Sequence, residues 1–261
     1  DLSFLDLTKA YLRGGDFEGA LFNKTVLKGA VLNHSNISKA RFSQADLRGL
    51  ETGILPELKG HTKNITCITF NPSGTLLASG SSDKTVRIWD SSTLECITTI
   101  SGFQSPIKCI ALSSQSNLLA ISCEKDREFT LWDCTTGDFI TRPFCHHGSI
   151  TSLAFTPDGD RIASGSEDTT IAVWDFGDNI VSLSGHPSYV TCISFSSDGW
   201  RLASSSDSLI KIWDYFTGDC LHTLVGDQIS VPWVEFSPDG QILASSSFDS
   251  YIKLWDPDSG E

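Results

Sequence analysis

The chain has 261 residues, 39% of them hydrophobic and 10% aromatic, enough for a real core, and its 20% of charged residues is too few for a disordered composition. No apolar run approaches the roughly 18 residues that a transmembrane helix needs, so no membrane association is expected. The net charge is −13; residues 1–50 carry seven Lys/Arg against five Asp/Glu, which leaves −15 on residues 51–261 and argues against nucleic acid as a partner.

The chain starts at Asp1 and contains no Met, which reads as a piece of something longer, so missing targeting signals carry no weight. Of its eight cysteines, Cys67, Cys109 and Cys192 recur at one register of a repeat and Cys96 and Cys220 at another. Recurrence of this kind predicts small apolar core residues. There is no C-x-x-C pair, so we expect reduced thiols, a cytoplasmic protein, no metal and no cofactor.

Residues 1–49 show a strict five-residue period. One position reads Leu2, Leu7, Leu12, Phe17, Phe22, Leu27, Leu32, Ile37, Phe42, Leu47, and the position two before it reads Leu5, Ala10, Gly15, Ala20, Thr25, Ala30, Ser35, Ala40, Ala45. A period of five fits neither a helix nor a plain strand. It suits a coil that turns a corner every five residues and stacks inward side chains into ladders. The pattern resembles the pentapeptide-repeat family, with consensus A-x-[LF]-x-x, which implies a right-handed, square-sided β-helix of about two and a half coils. The family's DNA-mimicking members are strongly acidic; this segment is slightly basic, so that activity is not carried over.

From residue 58 a longer period begins. Trp–Asp occurs at Trp89/Asp90, Trp132/Asp133, Trp174/Asp175, Trp213/Asp214 and Trp255/Asp256, with spacings of 43, 42, 39 and 42 residues. The first unit reads as strands near Ile65–Phe70, Leu76–Gly80, Thr85–Trp89 and Cys96–Ile100. Its first hairpin turn, "NPSG", returns as "TPDG", "SSDG" and "SPDG", where Pro suits an early turn position and the closing Gly takes positive φ. The second unit has "SSQS" instead, which predicts a looser turn.

This pattern resembles the WD-repeat family over residues 58–261. The resemblance implies an all-β fold: a β-propeller of four-stranded blades, five in this chain and part of a seven-blade ring, with the short pentapeptide β-helix before it. The expected division is 1–50 for the β-helix, 51–57 for a linker and 58–261 for the propeller. Residues Ile54–Leu58 would supply the missing outer strand if the ring closed at five.

His61, Ser79 and Asp83 together invite a hydrolase reading, but a catalytic triad needs one exposed nucleophile beside an oxyanion hole. Here the trio recurs as His146, Ser164, Asp168 and as His186, Ser204, Asp207, each with its Trp: Trp89, Trp174, Trp213. In WD-repeat proteins such residues resemble a buried hydrogen-bond chain from Trp to Ser to His to Asp, so no catalytic residue is expected. The second repeat keeps Ser122, Asp126 and Trp132 with Phe103 in place of His; the fifth keeps Ser245, Asp249 and Trp255 with Asp227 there. No P-loop or G-x-S-x-G elbow occurs.

A propeller presents a rigid face with variable loops. On the loops that carry the His and Asp positions stand Lys63, Lys84, Lys125 and Arg127, with Phe103, Tyr189 and Phe248 expected to be exposed on the same rim. These residues form the candidate partner face, suited to a protein or an acidic or phosphorylated peptide. The joined pentapeptide and WD repeats resemble the C-terminal arrays of signal-transducing NTPases, which implies a scaffold or ligand-sensing segment of a larger regulator. A substrate receptor for a modifying enzyme such as a ubiquitin ligase is the alternative, and a serine hydrolase a remote one.

Overall fold

The computed structural model describes residues 1–33, 35–51, 57–114, 117–144, 146–176, 180–225 and 230–261. It divides into two compact units, Asp1–Lys59 and Gly60–Glu261.

In the first unit each side of the coil pairs in parallel with the side twenty residues later: Asp6 with Val26, Tyr11 with Val31, Asp16 with Asn36. Twenty residues per turn is four five-residue sides, and from Leu7 onward the sides end in tight turns such as Ala10 N–H to Leu7 C=O at 3.0 Å among the described residues. The corner requires a left-handed residue, so φ is positive at Phe4, Lys9, Gly14, Gly19, Lys24, Gly29, Lys39, Gln44 and Gly49. Inside, Phe22, Leu27 and Ala30 are fully buried, and Phe22 stacks on Phe42 with ring centroids 4.9 Å apart. Where the small-residue ladder carries a hydroxyl, the hydroxyl donates to the carbonyl of the neighbouring coil: Thr25 Oγ1 to Leu2 O and Ser35 Oγ to Leu12 O, both at 2.7 Å. Leu5 and Leu47, at the two ends of the ladders, are exposed, with no further coil over them among the described residues.

The second unit consists of antiparallel sheets taken in chain order. Blade 1 is β1 (Ile65–Phe70), β2 (Leu76–Ser81), β3 (Val86–Asp90) and β4 (Cys96–Ile100). Blade 2 is β5 (Ile107–Leu112), β6 (Leu118–Cys123), β7 (Thr130–Asp133) and β8 (Phe139–Thr141). Blade 3 is β9 (Ile150–Phe155), β10 (Arg161–Ser166), β11 (Ile171–Asp175) and β12 (Ile180–Leu183). Blade 4 is β13 (Cys192–Phe195), β14 (Arg201–Ser206), β15 (Leu209–Asp214) and β16 (Cys220–Val225). Blade 5 has three strands among the described residues, β17 (Trp233–Phe236), β18 (Leu243–Ser246) and β19 (Ile252–Trp255). The expected outer strand at Ile54–Leu58 falls largely on residues outside the described ones, as do part of the "SSQS" turn and Asp227.

Each blade lays its first two strands against the first strand of the next, and apolar side chains of its third-strand segment join the same cluster. Val86 and Ile88 meet Ile107, Ile110 and Leu112; Phe129 and Leu131 meet Ile150 and Leu153; Ile171 and Val173 meet Val190 and Ile193; Ile210 and Ile212 meet Val231, Val234 and Phe236. Small residues in the second strand permit this approach. A Cβ on Gly80 would lie 2.5 Å from Ile107 Cγ2, and one on Gly165 2.7 Å from Val190 Cγ1. Gly80→Val is therefore expected to lower stability by about 1–3 kcal/mol in urea titration, by overpacking the first interface.

A polar staple crosses three of the same interfaces. Thr66 Oγ1 donates to Ile107 O at 2.7 Å, Thr151 Oγ1 to Val190 O at 2.6 Å and Thr191 Oγ1 to Val231 O at 2.9 Å. At Thr66 a β-bulge interrupts the register with β2, which turns the hydroxyl toward the next blade. Blade 2 has Lys108 at this position, and its Nζ reaches Glu167 Oε1 across the interface at 3.1 Å.

Two faces have no covering blade among the described residues. Ile68 is 65% exposed, whereas the residue at its position in the next four blades (Ile110, Leu153, Ile193, Val234) is at most 8% exposed. On blade 5, Ile252 and Leu254 are 74% and 65% exposed, whereas Val86 and Ile88 are both at 0%. The cysteines divide similarly: Cys192 is buried, while Cys96 and Cys220, expected in the core, stand exposed on the outermost strands.

Candidate functional site

The polar chain is complete in blade 1. Trp89 Nε1 donates to Ser79 Oγ at 2.9 Å, His61 Nε2 lies 2.8 Å from the same oxygen, and His61 Nδ1 lies 3.0 Å from Asp83 Oδ2. The Asp83 carboxylate also accepts the Thr62 N–H at 2.9 Å and the Thr85 hydroxyl at 2.6 Å, so it ties the loop before β1 to the β2–β3 turn. Burial by itself would raise the Asp83 pKa; donation from Thr85, Thr62 and His61 outweighs it and holds the carboxyl well below its ordinary range. Ser79 is buried and its oxygen engaged by two ring nitrogens, which suits a structural link and not a nucleophile awaiting substrate.

Blade 3 repeats most of this chain. His146 Nε2 lies 2.8 Å from Ser164 Oγ and Nδ1 3.2 Å from Asp168 Oδ2, while the Trp174 ring packs edge-on against Phe129 and Phe176. Burial opposes ionisation of Asp168, yet bonds from Thr170, His147 and His146 bring its pKa to about 2. In blade 5, Trp255 Nε1 donates to Ser245 Oγ at 2.9 Å, and Asp249 accepts the Tyr251 N–H at 2.9 Å within its turn.

Two blades depart from the expected chain. In blade 4, Trp213 Nε1 and His186 Nε2 both reach Ser204 Oγ, at 2.7 and 2.6 Å, but Asp207 is exposed and His186 Nδ1 is buried without a partner among the described residues. Ser204 and Asp207 are three residues apart, where the other blades have four, so Ser206 pairs directly with Leu209 and Asp207 becomes part of a two-residue turn. In blade 2, Trp132 Nε1 donates to Thr130 Oγ1 at 2.8 Å instead of Ser122, whose buried hydroxyl has no partner among the described residues. With no imidazole to hold Ser122, the indole turns to the nearer hydroxyl on its own strand.

The blade 4 defect has a pH consequence. Burial, aided by Lys211, lowers the His186 pKa from 6.5 to about 4. The unfolded chain therefore takes up a proton between pH 6.5 and 4 that the folded chain refuses, so stability falls as pH falls through that window, by about 3 kcal/mol in all. Thermal melts between pH 7 and 5 are expected to show this slope in the wild type and a shallower one in His186→Phe.

On the rim, Lys63, Lys84, Lys125 and Arg127 are exposed, as are Tyr189 and Phe248. Lys84 takes positive φ in its turn and its Nζ donates to Gln104 O at 2.7 Å, holding the first loop of blade 2. Phe103 is not the free rim aromatic that was expected. It is half-buried, edge-on to Trp132 at 5.7 Å, because an apolar ring at the His position packs on the indole it cannot bond. Phe139 and Arg142, on and just after β8, stand on the other side of Trp132 without any signal in the repeat pattern.

Comparison with known proteins agrees with this architecture. Among curated relatives, the transcriptional corepressor LEUNIG_HOMOLOG of Arabidopsis thaliana is 28% identical over 214 residues, 80% of this chain and 26% of its own. The nuclear distribution protein PAC1 of Arthroderma otae is 31% identical over 201 residues, 76% of this chain and 37% of its own. The apoptotic protease-activating factor 1 of Rattus norvegicus is 34% identical over 215 residues, 77% of this chain and 17% of its own. The chain thus spans between about a sixth and two fifths of the length of these relatives. Such matches support a protein-interaction scaffold role. The model of pentapeptide repeats matches residues 10–49 in eight copies. The model described as WD domain, G-beta repeat, matches residues 53–90, 94–133, 138–175, 177–214 and 218–256, and the chain, which folds these repeats as successive blades, belongs to the WD-repeat family.

Proposed function

We propose that the chain is a non-enzymatic scaffold or ligand-sensing segment of a larger multidomain regulator of the signal-transducing NTPase kind, and that it grips an acidic or phosphorylated peptide on blades 1 and 2. The observation that carries the partner class is the charge of that rim. In a unit with a large acidic excess, Lys63, Lys84, Lys125 and Arg127 gather on the loops of two neighbouring blades, and Lys63, Lys125 and Arg127 form no ion pair among the described residues. Carboxylates and phosphates form the strongest hydrogen bonds with such cations. The larger context is supported by relatives of which this chain matches one portion, the rat apoptotic protease-activating factor 1 among them.

The test is a fluorescent penta-aspartate peptide titrated at about 50 and 200 mM salt. Lys125→Glu with Arg127→Glu is expected to weaken binding at least ~10-fold at the lower salt, because two attractive charges become repulsive. Equal binding by the wild type and the double variant would refute the acidic-peptide reading.

A further inference from the structure

Blade 2 leaves a carboxylate without its usual donors. Asp83 is served by His61 and Thr85, and Asp168 by His146 and Thr170. At the matching positions blade 2 has Phe103 and Glu128, and Asp126 is half-buried beside the Cys123 thiol. Beside it opens a cavity of about 290 Å³ lined by Phe103, Trp132, Phe139, Asp126, Thr130 and Arg142. Trp132 is its central wall, with Phe103 and Phe139 edge-on at 5.7 and 5.4 Å. That volume lies at the small end of ligand clefts, which begin at about 300 Å³, and suits one inserted side chain.

The surrounding charge selects what enters. Aromatic walls with one carboxylate would by themselves suit an ammonium group. However, Glu124–Glu128 together with Lys84 and Arg142 place four cations against three carboxylates, and Arg142 already pairs with Glu128. The rim is net positive and opposes a lysine. A neutral ring with one donor meets both demands: its face and edges pack on the aromatic walls, and its donor replaces the imidazole that Asp126 lacks.

We infer that this cavity is a subsite for the tyrosine side chain of an acidic peptide, with the phenol O–H donating to Asp126 and the peptide's flanking carboxylates facing Lys125, Arg127 and Arg142. This rests on the acidic-peptide reading above and adds the residue that would give it sequence preference.

Acetyl-Asp-Asp-Tyr-Asp-Asp-amide, its Ala-centred and Lys-centred counterparts and N-acetyl-tyrosinamide are the probes. The Tyr peptide is expected to bind at least ~10-fold more tightly than the Ala peptide, the usual effect of truncating an aromatic anchor. N-acetyl-tyrosinamide is expected to shift the Trp132 indole N–H resonance. Phe103→His restores the imidazole that Ser122 and Asp126 lack, so it is expected to fold with undiminished stability and bring the Tyr/Ala ratio close to one. Lys125→Glu with Arg127→Glu is expected to weaken both peptides while the ratio persists, which separates the rim from the cavity. A ratio near one in the wild type, a ratio unchanged by Phe103→His, or tighter binding of the Lys peptide would overturn the subsite. If no peptide binds, the rim reading fails, and a Trp132 resonance that N-acetyl-tyrosinamide leaves unmoved then removes the subsite as well.

Discussion

Ile110→Asp is expected to destabilise the second unit by about 4 kcal/mol or more, enough to unfold it at room temperature, whereas Ile68→Asp is expected to change stability by less than about 1 kcal/mol. The two residues hold the same position on the first strand of neighbouring blades. Ile110 is 7% exposed, packed in the cluster with Val86 and Ile88, and a carboxylate there would lose its water with no counter-charge to replace it. Ile68 is 65% exposed on the uncovered face of blade 1, and a carboxylate there stays solvated. Urea titration of both variants reads the difference directly. A large loss at Ile68 would show that its face is covered in solution, as a propeller ring passing through blade 1 requires. Were a further blade to cover this face, Ile68→Asp would become as damaging as Ile110→Asp.

Ser204→Ala is expected to cost about 2–4 kcal/mol and Ser122→Ala to be neutral or stabilising by up to about 1 kcal/mol. In blade 4 the Ser204 hydroxyl is where Trp213 Nε1 and His186 Nε2 converge, and among the described residues His186 Nδ1 has no partner to begin with. Removing the oxygen strands two buried ring nitrogens in one step. In blade 2 the Ser122 hydroxyl is itself the stranded group, so its removal relieves a burial cost without breaking a bond. Differential scanning calorimetry of the two variants would show opposite signs. Equal losses would mean that Ser122 finds a partner in solution and that the blade 2 chain is intact after all.

The blades' existence, order and strand positions were legible from residue types alone. The strands expected at Ile65–Phe70 and Cys96–Ile100 have those bounds, and the second and third strands of blade 1 differ by a residue at their ends. Repeats make this possible, because each blade or coil faces the same neighbours and so selects the same side chains at the same register. The five-residue ladder of the first unit was readable for the same reason. The interblade staple was also present in the sequence, in the shared Thr of "ITCITF", "ITSLAF" and "VTCISF". A hydroxyl in a strand is unremarkable until a bulge aims it at the next blade's carbonyl.

The site was legible only as far as the repeats are regular. The chains of blades 1 and 3 follow the expected His, Ser and Asp, while Asp207 and the Ser122–Trp132 link do not. One deleted residue moves Asp207 into a turn, and one ring that cannot accept a proton frees Trp132 for Thr130. Phe103 is half-buried where its loop position predicts exposure, because loop position alone does not reveal that an indole lies within packing distance. By itself, then, the sequence determined the family, the blade count in this chain, the inward ladders and the residue types available for polar chains, since all of these repeat. Only the tertiary structure decided which chains close, which apolar faces stay bare and that Phe103, Phe139, Asp126 and Arg142 enclose a cavity. Those features depend on distances between residues up to about forty positions apart, at the places where one repeat departs from its neighbours.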